Sequence, residues 1–70
     1  MMIAEMRKRA GMSQRELGER LGYSQQGVAS WESGRAEPSI QMLKKLAGIF
    51  RCTVDELIRD DAEEKTERTG

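Results

Sequence analysis

Apolar residues recur at three- and four-residue spacing along most of the chain, and short polar or glycine-containing segments interrupt them. This spacing puts the apolar side chains on one face of a helix, and no segment has the alternation of a half-buried strand. The pattern predicts five short helices, at about residues 2–10, 14–21, 25–32 and 40–51 and after Thr53. The fold class expected from it is all-α.

Helix-start and helix-stop residues support these boundaries. Ser13 and Thr53 each precede a Glu by three residues, the pattern of a capping box, in which the two residues satisfy each other's backbone N–H groups. Ser24 and Ser39 are placed as simple N-caps. Gly11, Gly22 and Gly34 follow the first three helices. Glycine is favoured there because a left-handed residue ends a helix.

Candidate core residues lie on the inner face of each predicted helix. They are Ile3, Met6 and Ala10 in the first, Leu17 and Leu21 in the second, Val28 and Trp31 in the third, Ile40, Leu43, Leu46, Ala47 and Phe50 in the fourth, and Leu57 with part of Val54 in the fifth. One small core cannot cover every apolar residue of the last helix. Val54 or Ile58 is therefore left as a candidate contact between two copies of the chain.

The composition excludes several function classes. Seventy residues with one cysteine and no histidine hold one small domain and provide neither an internal disulfide nor a usual zinc-ligand set. The Ser–His and Cys–His pairs of nucleophilic enzymes are also absent. We therefore expect no catalytic residue, metal, cofactor or small-molecule ligand. No apolar run could span a bilayer, and the charged start does not resemble a signal peptide, so a cytoplasmic protein is expected.

Charge is divided unevenly along the chain. Twelve basic and twelve acidic residues balance overall, but residues 1–52 hold nine basic and five acidic ones, and residues 53–70 hold three and seven. Residues 60–70 have nothing to bury and predict an acidic, disordered tail after a domain at residues 1–59. The acidic C-terminal end leaves open a second hypothesis: a protein-interaction module, for example an antitoxin whose acidic tail, Asp55 to Glu67, binds a basic partner.

The second and third helices are separated only by Gly22, Tyr23 and Ser24. That connection is too short for a comfortable antiparallel hairpin, so the helices are expected to cross at a steep angle, as in a helix-turn-helix. Gly22 supplies a positive φ for the turn. Gly18 is expected to remove a side chain where the third helix crosses closely.

A family resemblance rests on these positions in register: Ser13, Gln14, Glu16, Leu17, Leu21–Gln25, Val28, Trp31, Glu32, Gly34, Pro38, Ser39, Leu43, Leu46, Ala47 and Thr53–Leu57. The pattern resembles the XRE-type, lambda-repressor-like (Cro-like) helix-turn-helix family over roughly residues 2–59. The resemblance implies a compact five-helix fold, a third helix that lies in the major groove of DNA, and dimeric binding. Gly18, where the family generally has Ala, and Gly27, inside the third helix, depart from the pattern.

The resemblance and the docking geometry of a recognition helix give the candidate DNA-binding residues. The N-terminal part of such a helix reaches base edges. The candidates there are Ser24, Gln25 and Gln26, with Ala29 and Ser30 one turn further along. A Gln can pair with adenine through two hydrogen bonds, and an alanine can contact a thymine methyl group.

Gln14 and Arg35 are candidate phosphate contacts. Gln14 opens the second helix, where free N–H groups and the positive end of the helix dipole favour an anion, and Arg35 follows the recognition helix. Glu32 is unfavourably placed near a helix C-terminus and needs a cation. The resemblance suggests Arg7, as a structural ion pair.

These inferences predict a sequence-specific transcriptional regulator that binds double-stranded DNA, chiefly a repressor. As a homodimer it would place two third helices in successive major grooves, about 34 Å apart, on a pseudo-palindromic operator.

Overall fold

The computed structural model describes residues 1–59, which form five helices and no strand. The helices are α1 (Ile3–Arg9), α2 (Gln14–Leu21), α3 (Gln25–Ser33), α4 (Ile40–Phe50) and α5 (Val54–Ile58). Their bounds agree with the predicted ones to within one residue, and the all-α class is confirmed. The acidic tail expected at residues 60–70 lies outside the described residues. No helix within residues 1–59 is long and apolar enough to cross a membrane.

Side-chain caps begin four of the helices. In α2 the Ser13 hydroxyl accepts the Glu16 N–H at 3.0 Å, and the Glu16 carboxylate accepts the Ser13 N–H at 2.8 Å. Thr53 and Glu56 form the same capping box in α5. Ser24 and Ser39 cap α3 and α4 through their hydroxyl groups alone. These local hydrogen bonds explain why the helices begin where the sequence predicts.

One apolar core joins all five helices. Its buried members are Ile3, Leu17, Leu21, Val28, Trp31, Leu46, Ala47 and Leu57. Three predicted members, Ala10, Ile40 and Val54, are not part of it. Ala10 is exposed because α1 ends at Arg9, and Ile40 is 69% exposed because it occupies the first position of α4, ahead of the turns that pack on the core. Helical periodicity alone does not show where along a helix packing begins.

The connection between α2 and α3 is as short as predicted and is built on two glycines. Gly22 adopts a left-handed conformation, with φ +70°. At Gly18 a Cβ would lie 2.8 Å from the carbonyl oxygen of Tyr23, and the Tyr23 N–H donates to the Gly18 carbonyl at 2.8 Å. The same Cβ would lie 3.3 Å from the carbonyl carbon of Ser24, the N-cap of α3. Gly18 therefore makes room for the backbone of the turn and of the start of the third helix.

The first and last helices are joined by a backbone hydrogen bond. The N–H of Met2, just before α1, donates to the carbonyl oxygen of Leu57 in α5 at 2.8 Å. Because the first N–H groups of a helix region have no partner within the helix, this bond satisfies a donor that would otherwise need water. It also attaches α5, a helix of only five residues, to the start of α1.

Candidate nucleic-acid interface

The outer surface of α3 presents polar and small side chains. Ser24, Gln25 and Gln26 are exposed at its start, and Ala29 and Ser30 are half-buried one turn later. An open depression is lined by Gln26, Ala29, Ser30, Ser33 and Arg35. The structure therefore brings four of the seven predicted DNA-binding residues to one depression and leaves Ser24 and Gln25 at the N-terminal end of the same helix.

The start of α3 differs electrostatically from that of α2 and α5. The latter carry Glu16 and Glu56 in their first turns, whereas the first turn of α3 contains no acidic residue. Gly27 stands where a capping-box Glu would stand, and its N–H is satisfied by the Ser24 hydroxyl at 3.0 Å. The positive end of this helix dipole is thus not neutralised by a carboxylate, which suits an anionic partner.

The end of α3 positions Arg35. The carbonyl oxygen of Ser30 accepts the backbone N–H groups of Arg35 at 3.0 Å and Ala36 at 3.3 Å, and the Ser33 hydroxyl at 3.2 Å. These bonds fold the chain back onto the last turn and bring Arg35 beside the outer surface of α3. Ser33, which the sequence interpretation did not single out, lines the same depression because of this turn.

Arg7 and Glu32 form a two-pronged ion pair between α1 and α3. The Nε of Arg7 lies 2.7 Å from Oε2 of Glu32, and its Nη2 lies 3.2 Å from Oε1. The Nη1 of Arg7 also donates to the carbonyl oxygen of Met12 at 2.8 Å. Only 12% of the Arg7 side chain and 10% of the Glu32 side chain are exposed. This geometry fixes the C-terminal end of α3 against α1.

The pair changes the titration of both groups. Burial alone would raise the pKa of Glu32, but hydrogen bonds from Arg7 and Gln14 and the charge of Arg7 outweigh it and hold that pKa below its usual value. The hydrogen bond to Glu32 raises the pKa of Arg7. Glu32 is therefore ionised at neutral pH in the folded protein.

Gln14, the predicted phosphate contact, lies beside this ion pair. Its Nε2 donates to Oε1 of Glu32 at 3.0 Å. An amide nitrogen carries two N–H groups, so the second remains for another acceptor such as a phosphate oxygen. The structure thus gives Gln14 an orienting partner that the sequence interpretation did not foresee. A phosphate bound there would be connected to α3 through Glu32.

A pH titration tests the charge on Glu32. Since its folded pKa is lowered, its contribution to stability is present above the unfolded pKa of about 4.3 and is lost as the pH falls through the folded value. We expect Glu32→Gln to lower the urea midpoint at pH 7. The difference in midpoint between the variant and the wild type should be smaller at about pH 3 than at pH 7. A difference that stays constant between these pH values would contradict the expectation.

The predicted dimer contacts differ in exposure. In α5, Leu57 is fully buried, Val54 is half-buried, and Ile58 is 43% exposed. Val54 is thus half-buried without belonging to the core cluster, and Ile58 lies on the surface of the domain. Of the two candidates, Ile58 offers more apolar area to a second chain.

A family model described as helix-turn-helix matches residues 3–57, the whole span from α1 to the last core residue of α5. The chain belongs to the XRE-type helix-turn-helix family. Membership of this family identifies it as a DNA-binding transcription regulator.

Several HTH-type transcriptional regulators are similar in sequence to the chain. An uncharacterized HTH-type transcriptional regulator from Archaeoglobus fulgidus is 32% identical over 62 residues, which are 89% of each chain. The transcriptional activator BcrR from Enterococcus faecalis is 32% identical over 80% of this chain but only 28% of its own length. The regulator AnsR from Bacillus subtilis is 33% identical over 91% of this chain and 55% of its own length. No solved structure matches the chain significantly.

Proposed function

We propose that this XRE-type domain is a sequence-specific repressor that inserts α3 into the major groove of double-stranded DNA. The observation that carries the proposal is the outer surface of α3. It presents Gln25, Gln26, Ala29 and Ser30, with Arg35 beside them, and the first turn of the helix contains no carboxylate. Amide side chains on such a surface can read adenine edges. A domain bound over a promoter blocks other proteins from the same DNA by occupancy alone.

Two groups of contacts have different roles in this proposal. Gln25 and Gln26, with Ser24, Ala29 and Ser30, face base edges and determine the sequence that is bound. Arg35 and the second N–H of Gln14 contact phosphates and determine register rather than sequence. Because α3 itself holds one charged residue, Glu32, which is paired with Arg7, selectivity comes from hydrogen bonds rather than bulk charge.

The proposed binding unit is a homodimer on a pseudo-palindromic operator. A single α3 reads only a few base pairs, and a two-fold pair reads two half-sites about one helical turn apart. Ile58, with Val54 beside it, supports this part of the proposal because α5 presents their apolar area outside the core. Sedimentation of the full chain over a range of concentrations, with and without DNA, tests it. A chain that stays monomeric even on DNA would contradict it.

Selection of genomic DNA fragments by the purified chain tests the function. We expect a defined set of fragments, with an affinity that falls as salt rises. Arg35→Ala should weaken binding to selected and scrambled duplexes alike. Gln25→Ala or Gln26→Ala should weaken binding to the selected duplex by about 1–3 kcal/mol and should change binding to the scrambled duplex little. Selection of no fragment at low salt, or co-purification with a basic partner through residues 60–70, would favour the interaction-module hypothesis instead.

A further inference from the structure

Tyr23, in the turn between α2 and α3, contacts α3 through its ring. Its ring stacks on Trp31, with centroids 4.8 Å apart and an angle of 15° between the planes. The ring also lies across Gly27, where an added Cβ would overlap it. Trp31 is buried, whereas Tyr23 is 46% exposed. The ring therefore covers one face of the core tryptophan and the bare backbone of the first turn of α3.

The backbone of Tyr23 is held as closely as its ring. Its N–H donates to the Gly18 carbonyl in α2 at 2.8 Å, and its carbonyl oxygen would lie 2.8 Å from a Cβ at Gly18. Tyr23 thus lies between two helical glycines: its main chain contacts Gly18 of α2 and its side chain contacts Gly27 of α3. Each glycine occupies a helix position where alanine would be favoured by propensity.

We propose that Tyr23 is a positioning residue for DNA recognition, which holds the first turn of α3, and with it Gln25 and Gln26, at a set orientation to α2. Gly27 leaves space for the ring of Tyr23, and Gly18 leaves space for its main chain. The inference rests on the proposed base contacts of these glutamines. It also accounts for Gly27, whose effect on helix propensity alone is unfavourable: the missing side chain gives the ring its place against the helix.

The stacked ring fixes the orientation of the first turn of α3 because it contacts both Gly27 and Trp31. Trp31 lies one turn beyond Gly27 on α3 and is anchored in the core. A planar ring stacked on it and laid over Gly27 resists rotation of the first turn about the helix axis. Gln25 and Gln26 precede Gly27 directly, so a small rotation there displaces their amide groups from the base edges.

The experiment compares four variants of the full chain with the wild type: Tyr23→Phe, Tyr23→Ala, Gly27→Ala and the double variant Tyr23→Ala/Gly27→Ala. The matched control is Gly48→Ala, because a Cβ at Gly48 in α4 meets nothing within 4 Å. The probe is a duplex selected from genomic DNA by the wild type, beside a scrambled duplex at the same salt. Binding is measured where circular dichroism shows every variant folded.

We expect Tyr23→Ala and Gly27→Ala each to reduce the ratio of selected to scrambled affinity by about fivefold, the size of a lost aromatic contact. Tyr23→Phe and Gly48→Ala should keep the ratio, since both retain the stacked ring. The double variant should have the same affinity ratio as Tyr23→Ala alone. Its urea midpoint should be higher than that of Tyr23→Ala, because alanine is the better helix former at position 27 once the ring is gone. An unchanged ratio in Tyr23→Ala, or independent losses in the double variant, would overturn the proposal.

A second readout needs no DNA. The backbone amide resonances of Gln25 and Gln26 should shift in Tyr23→Ala and Gly27→Ala but stay near their wild-type positions in Tyr23→Phe and Gly48→Ala. Unmoved resonances in Tyr23→Ala would overturn the positioning role. If the wild type selects no fragment, the proposed function fails, while these resonances still decide whether Tyr23 orients the first turn of α3.

Discussion

Arg7→Ala is expected to destabilise the domain by about 3 kcal/mol, a large part of the stability of so small a protein. The substitution removes three hydrogen bonds, two to Glu32 and one to the Met12 carbonyl. It leaves the Glu32 carboxylate nearly buried with Gln14 as its remaining partner. An uncompensated charge in that position costs more than the pair contributes when it is intact. Urea unfolding followed by the fluorescence of Trp31, the single tryptophan, measures the loss.

Arg15 provides the matched control for Arg7. It pairs with Glu19 at 3.4 Å, but its side chain is 78% exposed and that of Glu19 is 65% exposed. Arg15→Ala should therefore change stability by less than about 0.5 kcal/mol. Adding Glu32→Gln to Arg7→Ala removes the unpaired charge and should recover part of the loss. Equal effects of Arg7→Ala and Arg15→Ala would show that the α1–α3 pair does not hold the domain together.

Leu57→Ala is expected to cost about 3 kcal/mol as well, by a different mechanism. Leu57 is fully buried, so truncation removes apolar contacts and leaves a cavity. The residue belongs to a helix of five residues, which is too short to persist without tertiary packing. Loss of its side chain should therefore release α5, together with the backbone bond from Met2 to the Leu57 carbonyl. Urea unfolding and loss of hydrogen-exchange protection at the Met2 amide measure both effects.

Ile58, the next residue along, separates core packing from dimer contact. Because it is 43% exposed, Ile58→Ala should change the stability of the monomer by less than about 1 kcal/mol. Its effect should appear instead in the dimer dissociation constant, measured by sedimentation. A larger loss of monomer stability for Ile58→Ala than for Leu57→Ala would contradict the packing described above.

Helix bounds and caps could be predicted because their causes are local. The capping boxes at Ser13 and Thr53 involve residues three apart, and the left-handed glycines act through their own backbone. Such interactions are readable from a short window of sequence. The inward faces of α2 and α3 were also predictable, because their apolar residues repeat at helical spacing.

Features that depend on contacts between distant residues were not predictable in this way. Ile40 has the right spacing for the core but precedes the packed turns of α4. The bond from Gln14 to Glu32 joins residues 18 apart, and the fit of the Tyr23 ring over Gly27 depends on how α2 and α3 cross. For the site, sequence indicated which residues face outward from α3. It did not indicate Ser33 or the partners that orient Gln14 and Arg35.

The bond between Met2 and Leu57 also bears on how the chain folds as it is synthesised. Met2 is synthesised before every helix of the domain, yet the acceptor of its N–H lies in α5. Contacts of such long sequence separation form late because the intervening chain must be ordered first. The nascent polypeptide therefore cannot complete its tertiary structure until α5 has emerged. A DNA-binding surface whose helices share one core is then expected to form only once α5 is available, in a single cooperative step.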